Sequence, residues 1–181
     1  MTKMHRFLVM CFLLGTAFTA RGYRIEEGAY YVGGGFGVNV NTARFDKEPR
    51  RSPGVQLPLI AHLDYAIDRD FGVFGDFIPQ FAASSLALGF KGGAKYWFSF
   101  LDTPYVPYAA LSLTTSFLFP SGKAPNHVNL GFSPGFGMNY FVLAKFLLGA
   151  HVHFNPSIAF ADGEKKFEFS VLAYFDVTIK I

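Results

Sequence analysis

The feature that most constrains this chain is a strict two-residue alternation that recurs along most of its length. Eight stretches carry it, at 29–41, 55–68, 71–81, 86–98, 105–119, 128–141, 144–155 and 166–181. Successive side chains of a strand point to opposite faces, so such alternation predicts strands with two unlike faces. In the second stretch Leu57, Leu59, Ala61, Leu63, Tyr65 and Ile67 oppose Gln56, His62, Asp64 and Asp68. The third sets Phe71, Val73, Phe77 and Phe81 against Asp76 and Gln80, and the fourth sets Leu86, Leu88, Phe90, Ala94, Tyr96 and Phe98 against Lys91 and Lys95. The seventh opposes Phe146, Leu148, Ala150, Val152 and Phe154 to Lys145, His151 and His153. The last opposes Phe167, Phe169, Val171, Phe175, Val177 and Ile179 to Glu168, Asp176 and Lys180. No charged residue falls on the apolar face of any stretch.

An apolar face this extensive needs either a second layer or lipid. Charged residues make up 16% of the chain, against about 25% in soluble domains. Beyond the first 20 residues no run of about 20 apolar residues offers a membrane helix. Most stretches reach the 9–11 residues that a tilted membrane strand requires. The expectation is an all-β fold, an eight-stranded antiparallel up-and-down transmembrane β-barrel with lipid outside and polar groups inside. The connections alternate accordingly. The turns at Arg69–Asp70, Ser99–Pro104 and Val142–Leu143 are tight, whereas 42–54, 82–85, 120–127 and 156–165 are the external connections. Tyr30, Tyr65, Tyr96, Tyr105 and Tyr140 gather at the tight-turn end as an interfacial girdle. Pro134, in mid-strand, predicts a bulge or register break.

Residues 1–20 have the make-up of a secretory signal, with Lys3 and Arg6 ahead of an apolar core, Phe7 to Leu14, and small residues Gly15, Thr16, Ala17 and Ala20 near a cleavage site. Residues 21–181 are then the barrel domain. The single cysteine, Cys11, falls in the signal, so the barrel has no disulfide framework. Setting Lys3 and Arg6 aside from the 16 basic residues leaves a near balance with the 13 acidic ones, and the basic character carries no argument for nucleic acid.

The chain resembles the small eight-stranded outer-membrane barrels of the OmpA transmembrane-domain and OmpX type. The resemblance rests on Glu27-Gly-Ala-Tyr-Tyr-Val-Gly-Gly-Gly-Phe-Gly37 opening the first strand, on Gly135-Phe-Gly-Met-Asn-Tyr140 in the sixth, and on a strand running to the C-terminus. It departs in ending on Ile181 where such barrels usually end on Phe, and no peptidoglycan-binding domain follows. The resemblance implies export to the outer membrane of a Gram-negative cell. It implies contact with outer-membrane lipid and lipopolysaccharide, dependence on the barrel-assembly machinery, and a non-enzymatic role without a cofactor.

Two groups of residues are candidates for function. His62, Asp64, Asp76, Lys91, Lys95, His151, His153, Glu168 and Asp176 face inward and are expected to form a paired polar network, since buried charges require partners. Arg44, Asp46, Lys47, Glu48, Arg50 and Arg51 form a charged cluster in the first external connection, a contact surface for an unknown ligand. His62, His151 and His153 have the chemistry of zinc ligands but sit on strands distant in order. His153-Phe-Asn155 is similar to the His-x-Ser motif of outer-membrane lipid A deacylases, with Glu164 or Glu168 in place of the acid. Asn155 stands where the serine nucleophile would be. The glycines of 33–37 spell no dinucleotide fingerprint. The leading expectation is a non-enzymatic barrel supporting envelope integrity or surface interaction through its loops. The alternatives are a lipid-modifying enzyme, a narrow pore, and a soluble lipocalin-like carrier if the two faces are inverted.

Overall fold

A computed structural model describes residues 24–44, 54–82, 85–99, 103–120, 126–161 and 164–181. Eight antiparallel strands follow one another: β1 (Tyr30–Arg44), β2 (Gly54–Ala66), β3 (Phe71–Ala82), β4 (Ser85–Trp97), β5 (Tyr105–Pro120), β6 (His127–Leu143), β7 (Phe146–Ala161) and β8 (Glu164–Lys180). Each pairs with the next, and β8 closes on β1, so the sheet is a closed up-and-down barrel with no free edge. The closure is sealed at the tight-turn end, where the Ile181 amide donates to the Tyr30 carbonyl at 2.9 Å.

The faces fall as the alternation requires. Phe36, Leu57, Leu59, Leu111, Leu113, Phe136 and Phe175 are exposed around the outside, while Asp64, Asp76, Lys91, Lys95, Glu168 and Asp176 are buried within. A soluble carrier needs the apolar set inside, so the faces oppose that alternative. The tyrosine girdle forms cross-strand pairs at the tight-turn end: Tyr30 with Tyr65 at 4.9 Å between ring centroids, and Tyr105 with Tyr140 at 4.8 Å. Exposed Phe81, Phe119, Phe160 and Phe167 mark the opposite rim.

Several expected boundaries need correction. The connection placed at 156–165 is largely strand: β7 runs to Ala161, and β8 begins at Glu164, paired with it. Pro156 and the Glu164-Lys165-Lys166 run are loop-like in sequence, but Pro156 keeps its partner Phe169 on β8 and the lysines sit at an exposed strand end. The turn placed at Val142–Leu143 lies at Ala144–Lys145, so Lys145 is an exposed turn residue and does not face the lumen. β2 ends at Ala66, and 67–70 make the turn, in which Asp68 Oδ1 accepts from the amides of Asp70 and Phe71.

Pro134 causes neither bulge nor register break. It remains opposite Leu111 of β5, and the interruption falls on the β7 side. There the partnering skips from Gly131↔Ser157 to Gly135↔His153 with the register unchanged. Pro134 and Pro156 withdraw amide donors from this one seam, and the flanking ladders hold the alignment. The β2–β3 seam skips in the same way beside Pro79, and β1–β2 beside Pro58. The true register shifts lie elsewhere, at Asn41/Ala43 and at Phe141/Leu143.

The tight-turn end is plugged. Residues 24–29 fold under the barrel through a turn in which Gly28 takes a φ of 75°, a conformation that favours glycine. The turn places Ile25 against Tyr31, Trp97, Phe141 and Leu147, all buried. The Glu26 amide donates to the Tyr31 hydroxyl at 3.0 Å, and Lys180 Nζ bonds Glu26 Oε1 at 2.6 Å.

Candidate functional site

The lumen is stacked in layers, and its chemistry follows from which strand positions face inward at each height. Above the apolar plug lies an ionic layer. Lys95 on β4 reaches Asp64 on β2 at 2.6 Å, and its ammonium also lies over the rings of Tyr108, Phe74 and Trp97 at 4.7, 5.2 and 5.7 Å. In the same layer Asp176 of β8 is a hub. His62 Nδ1 lies 3.2 Å and His151 Nε2 3.0 Å from its Oδ2. Thr178 Oγ1 lies 2.8 Å from His62 Nε2, and the Tyr108 hydroxyl 2.5 Å from His151 Nδ1. Each imidazole therefore meets a hydroxyl at one ring nitrogen, while its other nitrogen lies within ion-pair distance of the Asp176 carboxylate without hydrogen-bond geometry.

β2 and β8 are separated by β1, and a glycine lets them meet. Gly33 stands opposite His62 on one side and Thr178 on the other. A Cβ there would lie 2.6 Å from both His62 Cε1 and Thr178 Oγ1. At Gly149, opposite Asp176, a Cβ would overlap Asp176 Oδ1 and His151 Nε2. These wall glycines supply the width that the imidazoles occupy. Gly33→Leu is expected to part His62 from Thr178 and Asp176 and to cost about 1–3 kcal/mol by overpacking. The urea midpoint of the detergent-folded barrel, read by the heat-dependent gel shift, checks this; an unchanged midpoint would show that the contact contributes nothing.

In the middle layer Lys91 Nζ lies 3.9 Å from Asp76 Oδ2, both deeply buried. His153, 1% exposed, has its Nδ1 3.4 Å from the Ser133 hydroxyl, and its ring runs parallel to Tyr174 at 5.8 Å. Glu168 sits higher, where Asn129 Nδ2 donates to its Oε2 at 3.2 Å. All nine expected lumen residues are thus buried inside, in three groups rather than one continuous network. Tyr108, Tyr174, Thr178 and Ser133 are partners that the sequence did not single out, although each lies on the polar face of its strand and Tyr174 and Thr178 flank Asp176.

The arrangement bears on the alternatives. His62 and His151 each face a hydroxyl and the Asp176 carboxylate, His153 lies apart on Ser133, and no cluster of three or more His, Cys, Asp or Glu among the described residues has metal-binding geometry. The motif His153-Phe-Asn155 points into the lumen, where His153 cannot meet a lipid ester at the outer surface. Among the ionic-layer groups the remaining cavity is about 10 Å³, at the limit for one water, so a conducting path meets both this layer and the plug. Arg44 is the last residue of β1, opposite Glu168. The rest of the charged cluster, Asp46, Lys47, Glu48, Arg50 and Arg51, lies outside the described residues, as does the expected signal at 1–20.

The barrel closes into the fold of the small eight-stranded outer-membrane proteins, the class that the resemblance implied. Among solved structures it is similar to Neisserial surface protein A, with 19% identity, a TM-score of 0.67, and 86% of this chain and 100% of that one covered. It is also similar to the outer membrane protein OprG from Pseudomonas aeruginosa, at 12% identity and a TM-score of 0.60, covering 88% and 98%. The N-terminal β-barrel domain of Pseudomonas aeruginosa OprF gives 13% identity and a TM-score of 0.54, covering 84% and 99%. No family model matches the chain. No curated protein matches it either.

Proposed function

We propose that this protein is a non-enzymatic outer-membrane barrel of a Gram-negative cell, exported behind residues 1–20, which supports envelope integrity or surface interaction from its loop end. The carrying observation is the belt of exposed apolar side chains around a closed barrel whose charges are paired inside. Such a belt is stable only in hydrocarbon, and a closed barrel is one of the two backbone forms that can span it. In that setting the belt contacts outer-membrane lipid and lipopolysaccharide, and the barrel-assembly machinery inserts it. The long first connection, with Arg44 to Arg51, is the surface offered to a partner. The plugged end supports a structural or interaction role over a pore.

Fractionation of expressing cells tests the reading. The protein is expected in the outer-membrane fraction, running at different mobility unheated and boiled. A soluble periplasmic product without the shift would overturn it.

A further inference from the structure

Above the ionic layer, the loop end of the lumen opens into a cup that takes in the Asn129–Glu168 bond and the Lys91 end of the middle ion pair. The cavity is about 100 Å³, where one water requires about 10–15 Å³. Six carboxamides line it: Asn39, Asn41, Gln56, Gln80, Asn129 and Asn155. Serine and threonine hydroxyls stand between them, and Ile78 and Leu172 give an apolar patch at the floor. Lys91 and Glu168, one of each sign, line it beside the imidazole of His127, so neither sign of charge dominates the lining.

The carboxamides are held in place but not used up. Asn39 Nδ2 donates to Gln80 Oε1 at 2.7 Å and to Gln56 Oε1 at 3.3 Å, and Asn155 Nδ2 donates to Ser170 Oγ at 3.4 Å. The carbonyl oxygens of Asn39, Asn41 and Asn129 are buried and have no protein donor, although Asn39 is only 8% exposed. Lys91 Nζ, at the floor, makes no hydrogen bond. Buried amide oxygens left over in this way call for donors from whatever fills the space.

We infer that this cup is a binding site for a neutral polyhydroxyl ligand, one sugar unit seated in the amide-lined mouth of the barrel. Rotation of the terminal amides turns the leftover carbonyls of Asn39, Asn41 and Asn129 from the wall toward ligand hydroxyls, and the C–H face of the ring lies on Ile78 and Leu172. The balance of charge disfavours an ion of either sign. No aromatic ring is stacked across the cup among these groups, so affinity rests on hydrogen bonds and is weak. The inference goes beyond the proposed role, and binding by purified barrel is read independently of where the cell places it.

The test uses the full chain folded in detergent micelles, with NMR of the side-chain amide groups of Asn and Gln. D-glucose and maltotriose are the probes, and glycine and sodium chloride the controls. A sugar is expected to shift the resonances of Asn39, Gln80 and Asn129 saturably and to leave Asn139, which faces the lumen at the opposite end, unmoved. Asn39→Leu is expected to weaken the response about five- to tenfold, the scale of one hydrogen bond. Its heat-dependent gel shift shows whether the variant still folds, and Asn129→Leu serves if it does not. Response to both sugars marks a chain end as the natural ligand, and response to glucose alone a free sugar. No saturable shift, an equal shift with glycine, or a shift that includes Asn139 would overturn the inference and leave a water-filled vestibule.

Discussion

Lys95→Met is expected to lower the stability of the folded barrel by about 3–5 kcal/mol, the largest loss among single changes in the lumen. The substitution keeps most of the side-chain volume but removes the ammonium that bonds Asp64 at 2.6 Å. Asp64, 4% exposed, is then a buried carboxylate with no cation against it, beside a cavity with room for at most one water. The cost comes from stranding the partner rather than from the worth of the pair, so the double variant Asp64→Leu with Lys95→Met is expected to recover most of it. Urea titration of the wild type, both single variants and the double variant in one detergent gives the cycle. A double variant as unstable as the sum of the singles would show that the ion pair is not the unit that matters and that the contacts of Lys95 with Tyr108 and Phe74 are.

The second large effect lies on the other face. Leu113 is 75% exposed, on β5 between Gly92 of β4 and Phe132 of β6, in the belt assigned to lipid. Leu113→Arg is expected to cost about 2–4 kcal/mol in a bilayer, the price of a cation near the hydrocarbon midplane. In water the same exposed position tolerates arginine, since surface changes away from special features stay within about 0.5 kcal/mol. Equilibrium unfolding from lipid vesicles measures it. A neutral result would mean that this belt does not face hydrocarbon and would return the soluble-carrier reading to contention.

The fold was legible because its signal is local. Each strand declares its two faces through its own alternation, and the phase of Leu57 to Ile67 against His62 and Asp64 requires no knowledge of a partner strand. Closure followed from the same rule, since an apolar belt in lipid cannot end in an open edge. The partners in the lumen were not legible in this way. His62 meets Asp176 across β1 only because Gly33 stands between them, and that depends on the registers of two seams at once. Sequence order separates His62 and His151 by most of the ring, whereas in the barrel both reach one carboxylate. Prolines misled for a related reason. Pro134 and Pro156 each lack an amide donor, but the sequence does not say which neighbour loses it. Both losses fall on the same seam, leaving the alignment intact.

That distribution of prolines has a mechanical side. β6–β7 and β2–β3 are diametrically opposite in a ring of eight, and both are missing part of their cross-strand bonding toward the loop end. With the same gap on β1–β2 beside Pro58, the wall is loosened on one side around β2 and on the other at β6–β7, while the ladders through the ionic layer stay continuous. Such a shell resists torsion and yields most easily to oval flattening at its open end. Compliance is thereby concentrated around the amide-lined mouth and kept away from the buried charges below, a gradient that amide exchange along the two seams reads directly.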